Sequence, residues 1–450
     1  MRPAAAAEEA GLPSVVIANT GFINSAHLVG KSWGIDDLRV AEYPGAVGIH
    51  SAEVIAKNIE EVLLDRVIDG LTKRAQTSAR SAGGSTGPRK IVLTGTLQEV
   101  NRFFRQQEWT DGLPIVPPTM EAVESFLAFT DRGADDELAI LPPAKLKATP
   151  RNVAINAIMA GCEPRHMPLL IAAAEALGDE GYNLNSFGST SGILPYLLVN
   201  GPIAKQLGIE SAGQLVSGGP NPALGRALGL IVRNVAGFRP GKNYMGSFGY
   251  PMVFALAENE EASPWEPLHV EHGFARETST VTLGATNVWS NAPAPGSAPD
   301  KSGAEITLEV LCRELAKRVR VYNLPRETVM ITVLMTPAIA RSLADAGYSK
   351  NAVKEYLYEN ARMPRRDFEW LGRYTGGMQA GGGGQSAAGS RANADEMLRL
   401  LESPEVVHII VCGDPNRNRV MLLEGNHAKR TTRAIQLPGN WDELLLGQGG

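Results

Sequence analysis

The sequence predicts an α/β fold: a small, incomplete α/β fragment at the N-terminus, then a larger mixed α+β domain. Three observations carry this. Short β-branched apolar runs alternate with segments whose apolar residues recur at helical spacing. A stretch rich in Ser, Gly and Thr at 74–90, "RAQTSARSAGGSTGPRK", interrupts both patterns. At 450 residues the chain exceeds what one ordinary core accommodates. The expected organisation is a fragment over 1–75, a flexible linker over 76–90 and a mixed domain over 91–450.

Within the fragment, "SVVIAN" at 14–19 reads as a buried strand that follows the end of a helix. After Thr20, Gly21 and Phe22 comes a helix to about Trp33, then a second strand around "LRVAEYPG". A long helix runs from Ser51, its N-cap, to about Lys73, with Ile55, Ile59, Val62, Leu63, Val67 and Leu71 on one stripe. Two strands rarely make an independent sheet, so the fragment is expected to begin mid-motif and to need a partner.

In the larger domain Thr119 caps a helix from Met120. Thr149 at N-cap and Pro150 at N1 open another, which Gly161 ends, and a further helix spans about 165–177. "ILPYLLVNG" is a strand, "NPALGRALGLIVRNVAG" a helix with Asn221 at N-cap and Pro222 at N1, "ITLEVLCRELAKRVR" an amphipathic helix and "ETVMITVLMTP" a buried strand. The Gly-rich segment 374–391 is expected to be a mobile loop, either a lid or a passive linker. A helix to about Leu401, a strand "VVHIIVCG" and a hairpin-like return "RVMLLEG" follow.

A net charge of -5 argues against a nucleic-acid surface and favours a small-molecule substrate or a protein partner. Three cysteines cannot build a disulfide framework and form no C-x-x-C pair, which fits a reducing cytoplasm. No apolar run reaches about 18 residues, and "MRPAAAAEEAGLP" lacks the apolar core of a signal peptide, so neither membrane spanning nor export is expected.

Cys162 lies where one helix ends and the next begins. Backbone N–H groups there could lower a thiol pKa, and His166 is about a turn away as base or activator; core packing is the competing reading. Cys412, with Asp414 beyond it, sits at the carboxyl end of a strand, where α/β sheets bind ligands, and packing competes there too. "SGGPNPALGR" places Gly218, Gly219 and Asn221 where amides could hold an anion paired by Arg226, or else forms an ordinary tight turn. Ser189 and Ser191 are possible polar contacts in a glycine-rich loop. Glu258 and His269 belong to a polar stretch, "AENEEASPWEPLHVEHGF", in which His269 and Glu271 would share a strand face and His272 would turn away. No zinc motif occurs, so no metal site is expected, and the sequence indicates no particular cofactor.

The stretch 10–74 resembles the later half of the UGSC family, named for a motif containing selenocysteine or cysteine. The matching elements are Gly11-Leu12-Pro13, Phe22, Gly34 before Asp36-Asp37-Leu38, and Tyr43-Pro44-Gly45. In that family the redox motif lies upstream of the Gly-hydrophobic-Pro segment, whereas here no cysteine precedes Cys162. The family's active cysteine therefore maps onto no residue of this chain. "DGLPIVPPT", "AINAIMAGC" and "SPWEPLHVEHGF" look like the uncharacterised region that accompanies UGSC-like segments in some bacterial proteins. The resemblance implies a redox role completed by a partner that carries the Cys or selenocysteine motif.

The leading expectation is a subunit of a thiol-dependent cytoplasmic enzyme, with redox or lyase chemistry on a small molecule at Cys162 and His166. One alternative is a non-catalytic assembly or regulatory subunit. Another is a hydrolase or hydratase that acts through the polar loop around His269 without covalent thiol chemistry.

Overall fold

The computed structural model describes residues 1–72, 91–190, 192–247, 253–290, 293–318, 330–374, 393–425 and 429–447. The expected linker at 76–90 and the Gly-rich segment beyond Tyr374 lie outside the described residues. In chain order the strands are β1 Val16–Asn19, β2 Val40–Tyr43, β3 Ala139–Leu141, β4 Leu146–Ala148, β5 Leu194–Asn200, β6 Phe254–Ala257 and β7 Thr280–Thr286. They continue with β8 Val288–Trp289, β9 Met330–Met335, β10 Arg362–Pro364, β11 Met397–Arg399, β12 Val407–Val411, β13 Val420–Gly425 and β14 Thr431–Ala434.

Two four-stranded sheets, ordered β14-β7-β5-β6 and β12-β9-β13-β8, form the centre of an α/β architecture. Side chains alternate between the two faces of a strand, so each sheet serves two cores. Leu194, Tyr196 and Leu198 of β5 meet Leu334 of β9, Ile410 of β12 and Leu423 of β13 in a cluster between the sheets. Leu197 and Val199 point the other way, onto the helices Pro150–Ala160, Met167–Leu177 and Asn221–Asn234. Likewise Val333 and Ile409 face the helices Gly303–Arg318, Pro337–Asp345 and Lys350–Asn360. The layers thus run helix, sheet, sheet, helix. Strands buried on both faces read as continuous apolar runs, which is why "ILPYLLVNG" and "VVHIIVCG" show no alternation.

At the N-terminus β1 and β2 pair in parallel, Val16 opposite Val40, and the helix Ile23–Ser32 makes the crossover. One face packs on Ala5, Ala26 and Leu38, the other on Leu63 and Val67 of a helix that passes through a π turn at Ile59–Leu63. Ile17, Leu64 and Ile68 remain 58%, 51% and 50% exposed. The Lys145 ammonium lies 3.7 Å from the Trp33 ring centroid, and Ser25 donates to the Lys242 carbonyl, so this unit touches the larger part of the chain.

The locally encoded caps form as expected at Ser51, Thr119 and Thr149, and Gly161 adopts φ +89°. Four expectations are corrected. The segment before Leu401 is not a helix: β11 pairs antiparallel with β10. "RVMLLEG" does not return alongside β12, because β9 inserts between β12 and β13. Asn221 is the first helical residue rather than the N-cap, and Pro220 takes the cap position. His269 and Glu271 lie on a short helix, Leu268–Glu271, and not on a strand. Among the described residues no helix is long and apolar enough to cross a membrane.

Candidate functional site

Cys162 follows a helix that ends by local geometry. The Gly161 amide donates to the Ile158 carbonyl and the Cys162 amide to the Ala157 carbonyl, the two bonds of a Schellman turn. The sulfur occupies the position whose side chain usually makes the accompanying hydrophobic contact, and it packs on the helical core. Burial raises the thiol pKa well above its ordinary value, and the Glu163 carboxylate raises it further.

His166 is buried, and burial holds its pKa down at about 4. Its Nδ1 accepts from the Glu163 amide at 3.0 Å. The neutral ring therefore carries its proton on Nε2 and has no free lone pair with which to deprotonate a thiol. The amides at this junction satisfy Glu163 and His166, not the sulfur. The physical basis for a lowered Cys162 pKa is absent from this arrangement.

The turn at Gly218 and Gly219 is closed by the protein itself. The buried Asn221 side chain accepts from the Glu210 amide and donates to the carbonyls of Glu210 and Leu215. Gly219, at φ +52°, lies so close to the Gly208 carbonyl that a Cβ would stand 2.8 Å from it. Arg226 makes a two-pronged pair with Asp111, at 2.9 and 3.0 Å, and donates to the Pro114 carbonyl. These residues are engaged with one another, which removes the free arginine that an anion site requires. Ser189 accepts from the Gly192 amide through its carbonyl, and Ser191 lies outside the described residues.

Glu258 and His269 enter a buried polar cluster. Glu258 accepts from Asn200 Nδ2 and the Leu268 amide, both at 2.8 Å, and lies 3.5 Å from Lys350 Nζ. Lys350 also pairs with Glu271 at 2.5 Å and donates to the Glu266 carbonyl. His269 Nε2 donates to the Arg276 carbonyl at 3.3 Å. The cluster ties the end of β6 to the helix Lys350–Asn360. Cys412 is buried between the sheets and its thiol pKa is raised by burial, with Glu258 adding to the rise. Asp414 accepts from the Asn416 amide in the turn beyond.

Chemistry converges elsewhere, at the amino end of β12. His408 stands opposite Thr332 of β9 on the inter-sheet side, and Arg430 enters from the start of β14. With His272, Phe274, Glu405 and Thr432 they line a cavity of about 700 Å³ where the edges of the two sheets meet. The His272 and His408 rings face edge to face-on at a centroid separation of 5.6 Å. His272 Nδ1 bonds Thr432 Oγ1 at 2.7 Å, which bonds Thr282 Oγ1 at 2.9 Å.

Arg430 is held by Thr332 Oγ1, the Ile331 carbonyl at 3.0 Å and the Tyr196 hydroxyl at 3.5 Å. Its Nη1 is buried without a partner, as is His408 Nδ1. Among the described residues no carboxylate lies within ion-pair distance of this guanidinium. An uncompensated buried cation is costly, so an anionic ligand is its natural complement. Burial lowers the pKa of both His408 and His272, and Arg430 lowers them further.

His272 follows the short helix that carries His269, and its ring meets that of His408. Arg430 lies in "NHAKRTTR", a stretch with no motif, and its meaning depends on tertiary contacts with Tyr196 of β5 and with Ile331 and Thr332 of β9. Among the described residues no group of three or more His, Cys, Asp or Glu side chains is placed to hold a metal ion. Comparison with protein-family models, with curated proteins and with solved structures finds no match for this chain.

Proposed function

We propose that the chain is an enzyme that binds a small organic carboxylate against Arg430 and moves protons on it with the imidazoles of His272 and His408. This is the hydrolase or hydratase reading, transferred from the loop around His269 to the neighbouring pocket. The observation that carries it is the Arg430 guanidinium, uncompensated by any carboxylate among the described residues and set beside two imidazoles. Burial and Arg430 favour the neutral form of both imidazoles, most strongly at His408, so proton acceptance there depends on an anion that offsets Arg430. A bound anion would offset the repulsion from Arg430, Lys350 and Lys354 and raise both histidine pKa values, so binding takes up protons.

The test is titration calorimetry with three- to five-carbon mono- and dicarboxylates near pH 6, in two buffers of different ionisation enthalpy. Saturable binding with proton uptake is expected. Arg430→Gln should lose binding, while His408→Asn should keep binding and lose most of the uptake. Binding that is unchanged in both variants would remove the pocket from consideration.

The thiol-dependent reading keeps one route to support: loss of activity in Cys162→Ala with the fold intact. The open β1–β2 unit supports the further proposal of a protein partner that adds strands to it, and the three unpaired cysteines fit the cytoplasm. A partner that co-purifies with the chain, without catalysis by the complex, would instead favour the assembly-subunit reading.

A further inference from the structure

A second cavity, of about 1110 Å³, lies on the opposite side of the first sheet's helices, away from the histidine pocket. Its walls are apolar: Phe104, Trp109, Val123, Ile155, Met159 and Val235 contribute to them. This volume suits a ligand the size of a medium-chain or aromatic acid with room to spare. Among the described residues no histidine or cysteine lines this cavity, which argues for binding rather than proton or thiol chemistry.

Charge at one end defines the ligand. Arg239 lines the cavity and donates to the carbonyls of Arg233 and Phe238, leaving its positive charge without a carboxylate pair among the described residues. Arg233 stands close enough to repel it, and the nearby Glu108 carboxylate is already paired with Lys242 at 2.7 Å. The other cations on the lining, Arg151 and Lys147, are paired with Asp135 and Glu137. Deeper in, Asn234 donates to the Trp109 carbonyl and to Asn156 Oδ1, both at 2.8 Å, which fixes its amide orientation. Its Oδ1 is then a buried acceptor without a partner.

We infer that this cavity binds an amphiphilic organic acid, its hydrocarbon body against Trp109 and Ile155 and its carboxylate toward Arg239. An apolar wall alone would accept any oil; the excess of guanidinium charge selects the acid.

Trp109 fluorescence of the full-length protein reads the site directly, with Trp109→Phe assigning the signal. Decanoate, kept below its micellar range, is expected to give a saturable change, and decan-1-ol a weaker one. Arg239→Gln should weaken decanoate at least tenfold and leave decanol within twofold. Ile155→Trp, which fills the cavity without touching the cation, should abolish both. Equal affinity for acid and alcohol in the parent protein, or decanoate binding that survives either substitution, overturns the inference. If Arg239→Gln fails to fold, the acid–alcohol comparison and Ile155→Trp decide.

Discussion

Cys162 and His166 show how a residue pair with the right spacing can be disarmed by its surroundings. The thiol is pushed up by burial and by Glu163, so it should react with iodoacetamide far more slowly in the native protein than in urea. Peptide mapping that instead gave Cys162 an apparent pKa below the free-thiol value of about 8.5 would restore the thiol reading. His166 makes a prediction with a definite sign. Its folded pKa of about 4 lies below its ordinary 6.5, so the unfolded chain binds the proton first and stability falls as pH drops through that window. The loss should reach about 3 kcal/mol by pH 4. Urea denaturation at pH 7 and pH 4.5 should show a smaller drop for His166→Asn than for the parent, and equal drops would refute the assignment. The spacing of Cys162 and His166 was legible in the sequence. What it could not convey was that the Glu163 amide occupies Nδ1.

At the scale of elements, caps were legible because their hydrogen bonds close within a few residues: Thr149 and Asn152 satisfy each other's orphan amides whatever packs above them. Strand partners were not, since β9 reaches its place between β12 and β13 from far along the chain. In the other sheet, the pairing of β5 with β7 makes one glycine indispensable. Gly284 of β7 stands opposite Tyr196 of β5, and a Cβ there would lie 2.1 Å from the Tyr196 ring. That ring is stacked on Phe254 and its hydroxyl is bound to Thr332 at 2.6 Å, so it has nowhere to yield. Gly284→Ala should destabilise by roughly 2–3 kcal/mol in chemical denaturation. It should also weaken carboxylate binding at Arg430, because Tyr196 supports the guanidinium. An unchanged midpoint would mean that the sheets are less tightly apposed than the layered packing requires.

The whole molecule sets an open N-terminal unit beside a layered body whose cores are closed by its own helices. Leu64 and Ile68 are half exposed, so Leu64→Glu and Ile68→Glu should each leave the melting temperature nearly unchanged, within about 0.5 kcal/mol of stability. If that face is covered in the cell, the same variants should lose any co-purifying partner; a large drop in melting temperature would show that the chain covers the face itself. The sequence by itself determined the α/β class, the caps and turns, and the apolar runs that become doubly buried strands, because these follow from periodicity and from bonds between near neighbours. Only the tertiary structure decided the histidine–arginine pocket and the apolar cavity. His272, His408 and Arg430 come from three distant segments, and no local signal distinguishes a histidine that faces a sheet edge from one that fills a core.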